Sequence, residues 1–181
     1  MVDSYQVRNQ SGLYLLTCQV VGWVDIFGRQ IYRDIVIDSL GFCRRNKDLM
    51  VYAYVVMTNH VHLIVQSEDG SLSDTIRDFK RFTSNTIMSE VSHNNRESRK
   101  DWLEMVFRYH AKFNGRVNEK QFGTHENHAV ELTDIRMIDS KLDYIHMNPV
   151  RAGWVLEPED YLYSSARNYC GLQGQLEIDF I

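Results

Sequence analysis

Apolar positions along the chain switch between a period of two and a helical period, and the switches mark the elements. From Gly12 to Val21 the run is rich in aliphatic, aromatic and β-branched side chains, which predicts a strand. Gly22 to Gly28 reads as a turn. Ile31, Ile35, Leu40 and Phe42 fall near helical spacing, so Arg29 to Arg45 is predicted as a helix, broken by Asn46-Lys47-Asp48. Leu49 to Met57 is a strongly apolar strand, and after Thr58-Asn59 comes another, His60 to Gln66. These two are expected to pair as a hairpin.

Ser71 opens a second helix with a start resembling a capping box, Asp74 following three positions on. Its apolar stripe is Leu72, Ile76, Phe79, Thr83 and Ile87, with Arg77, Lys80 and Arg81 on other faces. Ser92 to Lys100 is polar and predicts a loop. Trp102 to Phe113 predicts a helix with Leu103, Val106, Phe107 and His110 on one side. Lys120 to Leu132 reads as a short strand, a loop and a strand. A last helix is expected from Ile135 to Met147, capped by Thr133 or Asp134 and stopped by Pro149. The order β-α-β-β-α-insert-β-α is that of the ferredoxin-like split βαβ fold. It predicts an α+β molecule with a mostly antiparallel sheet and helices on one face.

Length fits one domain over residues 1–181, with an insertion at about 92–120 and a tail from about 154. Composition is ordinary for a globular chain and excludes collagen, low-complexity and coiled-coil classes. No apolar run reaches the ~20 residues of a membrane span, and no leader pattern opens the chain. Three well-separated cysteines, Cys18, Cys43 and Cys170, with no CxxC, fit free thiols in a reducing cytoplasm.

The net charge of −4 hides an asymmetry. Residues 71–120 carry ten Lys and Arg against seven Asp and Glu, while the tail from Glu157 is acidic. A pI near 6.0 gives no general attraction to nucleic acid, so contact with a phosphate backbone has to come from a local patch.

Two motifs carry candidate chemistry. In a strand, His60 and His62 share a face, with Val61 and Leu63 on the other. Two imidazoles at that spacing reach one cation, although two polar residues on a wetted sheet face would look the same. Tyr144 and Asn148 sit one turn apart near a helix end and share a face, which an ordinary helix terminus would also produce. His125, Glu126 and His128 form a smaller cluster that reads either as a second metal site or as a polar loop.

Together these blocks resemble a known family. Val55 to Val65, around Asn59-His60-Val61-His62-Leu63, is similar to the HUH signature of the single-tyrosine transposases. Tyr144 to Gly153, followed by Pro158-Glu159-Asp160-Tyr161 and Tyr163-Ser164-Ser165, resembles the C-terminal block of the REP-associated tyrosine transposases. Leu72 to Ser84 is similar to the family's second helix, and the resemblance spans nearly the whole chain. It implies an enzyme of DNA transposition and recombination that cuts and rejoins single-stranded or hairpin DNA. His60 and His62 match the metal ligands, Asn148 the third polar ligand, and Tyr144 the nucleophile. The implied cofactor is a divalent ion, Mg²⁺ or Mn²⁺, with Zn²⁺ as another choice.

Tyrosine attack on phosphorus would form a 5′-phosphotyrosine and free a 3′-hydroxyl. The covalent link keeps the bond energy for rejoining. Candidate DNA contacts are Lys80 above all, then Arg77, Arg81 and Arg151, and in the basic insert Arg96, Arg99, Lys100, Arg108, Lys112 and Arg116. Tyr161 and Tyr163 read as packing residues, and His146 falls off the Tyr144 face. Related enzymes act as monomers or dimers, so a homodimer is left open. Other readings are a catalytically idle hairpin-binding protein of the same fold and a phosphoesterase that uses the histidines without the tyrosine.

Overall fold

The computed structural model describes residues 6–114, 119–124 and 128–181. Four strands, β1 (Tyr14–Gln19), β2 (Leu49–Val56), β3 (His60–Ser67) and β4 (Val130–Glu131), form one sheet in the order β2-β3-β1-β4. All three pairings are antiparallel. The long helices are α1 (Gln30–Asn46), α2 (Leu72–His93), α3 (Lys100–Lys112) and α4 (Ile135–Arg151), and a short helix α5 (Ala166–Tyr169) lies in the tail. This is the ferredoxin-like α+β topology that the element order predicts.

The sheet is covered on both faces, not on one as the sequence predicts. Leu16, Val51, Tyr54, Val56, Val61, Leu63 and Val65 join the core with α1 and α2. Leu15, Ala53, Val55, Met57 and Ile64 join Leu132 and Ile145 of α4 on the opposite side. β2 feeds both cores by alternation, and a bulge at Tyr52 reverses its parity partway, so that Val51 and Tyr54 face the same core. A strand apolar on both faces exposes oil to water unless both are covered, and α4 supplies the second cover.

Two 3-10 turns, Val21–Trp23 and Ile26–Gly28, replace the simple turn after β1. They are tied to the β2–β3 hairpin, since Val20 N–H donates to the Asn59 carbonyl and Phe27 N–H to the Thr58 carbonyl, both at 2.9 Å. Ser71 stands at the start of α2 but does not cap it. Its hydroxyl turns back to Asp69 at 2.6 Å, and Gln10 accepts from the Ser73 N–H instead.

The segment after α2 is not loose. Glu97 is buried and accepts from Tyr32 at 2.8 Å, with Arg29 and Arg99 beside it. Pro149 does not stop α4, which runs two residues past it. The helix closes beyond it through the Ala152 N–H to Asn148 carbonyl bond at 3.0 Å and the Trp154 N–H to Pro149 carbonyl bond, also 3.0 Å.

Candidate active site

Alternation along β3 turns Val61, Leu63 and Val65 into the core under α1 and α2, so His60 and His62 face the α4 side. Their ring centroids are 4.6 Å apart. Each ring is held by its Nδ1. For His62 the partner is the Thr17 hydroxyl at 2.9 Å, directly opposite in the β1 register. For His60 it is the Asn59 amide oxygen at 2.6 Å. An amide oxygen only accepts, so His60 donates from Nδ1–H and carries its lone pair on Nε2. The same tautomer at His62 lets Thr17 accept.

Burial lowers both imidazole pKa values. His62 falls furthest, to about 3, through burial first and then the charge of His60. Both are therefore neutral near pH 7, the state in which a ring nitrogen coordinates a metal.

The other half of the site rides on α4. Asp134 caps the helix by accepting from Met137 N–H at 3.0 Å. Fully buried Ile145 anchors it against the sheet. Tyr144, its neighbour, is 37% exposed, and its hydroxyl lies 3.4 Å from His62 Nε2. With Nδ1 protonated, the phenol is the donor of that pair. Arg151 and Lys141 flank the tyrosine ring, with their charged groups 5.8 and 5.9 Å from its centroid. Lys141, Tyr144, Asn148 and Arg151 follow helical spacing and form one stripe.

The structure thus brings His60, His62, Tyr144 and Arg151 together. Asn148 lies one turn along, and its Nδ2 donates to the Tyr144 carbonyl at 2.7 Å. His146 is not part of this group. It packs inward, with Nε2 at 2.8 Å from the Ser165 hydroxyl and its ring against Tyr169, and burial lowers its pKa to about 4. Tyr161 donates to the Val56 carbonyl and Tyr163 to Asp34, so both are packing residues.

Lys80, Arg77 and Arg81 sit elsewhere, on α2 beneath the other face of the sheet. Lys80 donates to the Thr124 carbonyl at 2.8 Å, Arg77 pairs with Asp74 and Asp78, and Arg81 with Asp78. All three line a cleft of about 560 Å³ between α2 and residues 120–124. Arg99 is engaged with Asp25 and Glu97, Lys100 with the Ser92 carbonyl, and Arg108 with Glu104. Arg116, His125 and Glu126 lie outside the described residues, and with them the small His/Glu cluster.

Three site residues escape a reading of the sequence. Lys141 could have been found from its spacing three before Tyr144, and Asn59 from its place beside His60. Thr17 has no local signal, because only the β1–β3 register sets it against His62.

Fold and site together define a class: an antiparallel sheet whose central strand presents paired histidines to a tyrosine on a covering helix. The sequence matches the family model described as IS200-like transposase over residues 26–121, just over half the chain. The chain belongs to that family. The matched span contains His60 and His62 and ends before α4. Comparison with curated proteins gives no match. Among solved structures the fold is similar to a REP-associated tyrosine transposase solved bound to a REP hairpin. The TM-score is 0.62 at 17% identity, covering 99% of this chain and 92% of that one. No helix among the described residues is long and apolar enough to cross a membrane.

Proposed function

We propose that this protein is a metal-dependent transposase that cuts and rejoins single-stranded or hairpin DNA through Tyr144. The observation that carries the reading is the Tyr144 hydroxyl 3.4 Å from His62 Nε2, with His60 alongside. Membership of the transposase family and the hairpin bound to the structural neighbour support the choice of DNA as substrate.

The donor set fits a divalent ion. Both rings are neutral, and both Nδ1 atoms are engaged by oxygen, which turns the two Nε2 atoms to coordination, that of His62 in place of the Tyr144 hydroxyl it accepts from here. Amide, water or substrate oxygens would complete the shell in this reading. His60 and His62 would hold the ion, and the Asn148 amide oxygen is the third ligand in this reading. A bound ion supplies charge neutralisation at a non-bridging phosphate oxygen.

This chain's own groups do the rest. Tyr144 attacks phosphorus in line, the bond to the 3′-oxygen breaks, and that oxygen leaves to become a 3′-hydroxyl. The phenolic proton passes to solvent water as the phosphotyrosine bond forms, and the departing 3′-oxygen takes one up from water, so the protons balance. Lys141 and Arg151 flank the Tyr144 ring and draw the anionic diester towards it. Rejoining is the reverse attack by a 3′-hydroxyl, so no nucleotide triphosphate is consumed.

The test is a covalent-trapping gel. Wild type and Tyr144→Phe are incubated with labelled hairpin DNA bearing single-stranded flanks, with Mn²⁺ or Mg²⁺, and then denatured. A metal-dependent adduct band in wild type alone is expected. Cleavage by Tyr144→Phe at the wild-type rate would sink the nucleophile. Hairpin binding with no adduct on any substrate would identify an idle binding protein.

A further inference from the structure

Helix α4 is held to the sheet by apolar packing of Ile138, Leu142 and Ile145 with Ala53, Val55 and Ile64. Such packing is non-directional, so it keeps the helix down without fixing its slide or rotation. His146 adds a directional contact. The side chain is half-buried, with Nε2 2.8 Å from the Ser165 hydroxyl and the ring 5.1 Å from that of Tyr169. Tyr169 backs the imidazole from a fixed place, since its own hydroxyl donates to the Tyr52 carbonyl at 3.1 Å.

Ser165 is fully buried and bonded to the edge of β2. Its N–H donates to the Tyr54 carbonyl at 3.0 Å, and its hydroxyl oxygen accepts from the Tyr54 N–H at 2.9 Å. For the hydroxyl hydrogen, His146 Nε2 is the nearer acceptor, the Tyr54 carbonyl lying at 3.3 Å. The strand register gives this attachment its meaning. Val55 pairs with His62 on one side and bridges to Ser164 on the other, so His62, Val55 and Ser164 lie in one row across the sheet. Ser165 is the next residue along, and His146 is two residues from Tyr144. The tail thus grips α4 at the level of His62, beside the tyrosine whose hydroxyl lies 3.4 Å from its Nε2.

We infer that His146 and Ser165 are positioning residues, a clasp that sets Tyr144 against His62. This rests on the strand-cleavage reading above. In-line attack tolerates little misplacement, and a displacement of about 1 Å costs on the order of 100-fold in rate. The apolar bed under α4 leaves that freedom open, and the clasp removes it. The tail therefore does more than cover the edge of β2: it returns to fix the helix from which it departs.

The experiment compares the full chain with its variants His146→Leu, His146→Gln, Ser165→Ala and the double variant His146→Leu/Ser165→Ala. Leucine fills the space without a hydrogen bond, while glutamine carries an amide at the position of Nε2. Melting temperature and hairpin affinity are measured for each, with the single-turnover rate of tyrosine adduct formation at saturating hairpin DNA and Mn²⁺. His146→Leu and Ser165→Ala should each slow adduct formation about ten- to a hundredfold at unchanged hairpin affinity. The double variant should be no slower than the slower single variant, and His146→Gln should recover most of the rate. A second readout needs neither DNA nor metal. With 3-fluorotyrosine in place of Tyr144, the fluorine resonance reports the contact with the His62 ring, whose centroid is 5.2 Å away. It should shift in His146→Leu and return in His146→Gln. A lower melting temperature with adduct rate and fluorine resonance unchanged would make the pair merely structural and overturn the clasp. So would a glutamine variant as slow as the leucine one. Failure of the strand-cleavage reading looks different: wild type forms no adduct, while the fluorine resonance still moves with the clasp.

Discussion

His62 is almost fully buried, with its two ring nitrogens committed to different tasks. Nδ1 is fixed by Thr17, while Nε2 faces Tyr144. Replacing Thr17 with Val keeps the shape and removes the oxygen that orients the ring. Outer-sphere losses of this kind weaken metal affinity by about 10–100-fold. Titration of Mn²⁺ by calorimetry should show that drop, with thermal stability little changed; equal affinity would mean that the ring needs no such support. Burial also makes a pH prediction. His62 and His146 have folded pKa values of about 3 and about 4, below the ~6.5 of an unfolded chain. As pH falls below ~6.5 the unfolded chain takes up these protons first, so stability present above that pH is progressively lost down to the folded values. In chelator-treated protein the melting temperature should therefore decline from about pH 6.5 downward. His146→Gln should flatten the slope, and identical slopes would remove His146 from the account.

At the scale of elements, α4 packs on the sheet through Ile138, Leu142 and Ile145, and a side-chain cap starts it. Asp134→Ala removes the acceptor for the Met137 N–H and should cost about 1 kcal/mol. A second device ties the start of α1 to the α2–α3 connection. Burial by itself would raise the Glu97 pKa. The Arg99 backbone N–H, the Tyr32 hydroxyl and the Arg29 and Arg99 guanidiniums instead hold it below the ordinary carboxylate range. Glu97→Ala strips the charge that these groups share and should cost about 3 kcal/mol, the low end for breaking a buried pair. For a chain of this size that is a fall of roughly 6–12 °C in melting temperature. A shift of a degree or less would show that the arginines find other partners without loss.

At the scale of the whole molecule, the tail closes the fold. Residues 163–165 run along the outer edge of β2, with Val56 N–H donating to the Tyr163 carbonyl and Ser165 N–H to the Tyr54 carbonyl. Farther down, Asp179 accepts from Val51 N–H and pairs with Arg44. An uncovered edge strand is a template for association with other chains. A chain ending at Gly153 should therefore aggregate on expression, as checked by gel filtration. A soluble, cooperatively melting product would show that β2 needs no cover.

Much of the architecture was legible along the chain because its signals are local. Alternation from His60 to Val65 places two histidines on one face, since consecutive side chains in a strand point opposite ways. Helical spacing groups Tyr144 with Asn148, and motif resemblance attaches chemistry to both. The helix end was misread because Pro149 removes one N–H yet the last turn closes around it. The second covered face was missed because Leu15, Ala53, Val55 and Ile64 show only that both faces of the strands are apolar, and which helix covers the second face is set by the distant packing of Leu132 and Ile145. What the sequence by itself determined is which residues share a face within each element, a matter of bond geometry over a few positions. Which faces meet was decided only in three dimensions. Tyr144 approaches His62 across 82 positions of chain, and Thr17 reaches it across 45. Those approaches arise because α4 has to bury Ile145 against Ala53, Val55 and Ile64, and covering that apolar face carries the tyrosine to the histidines.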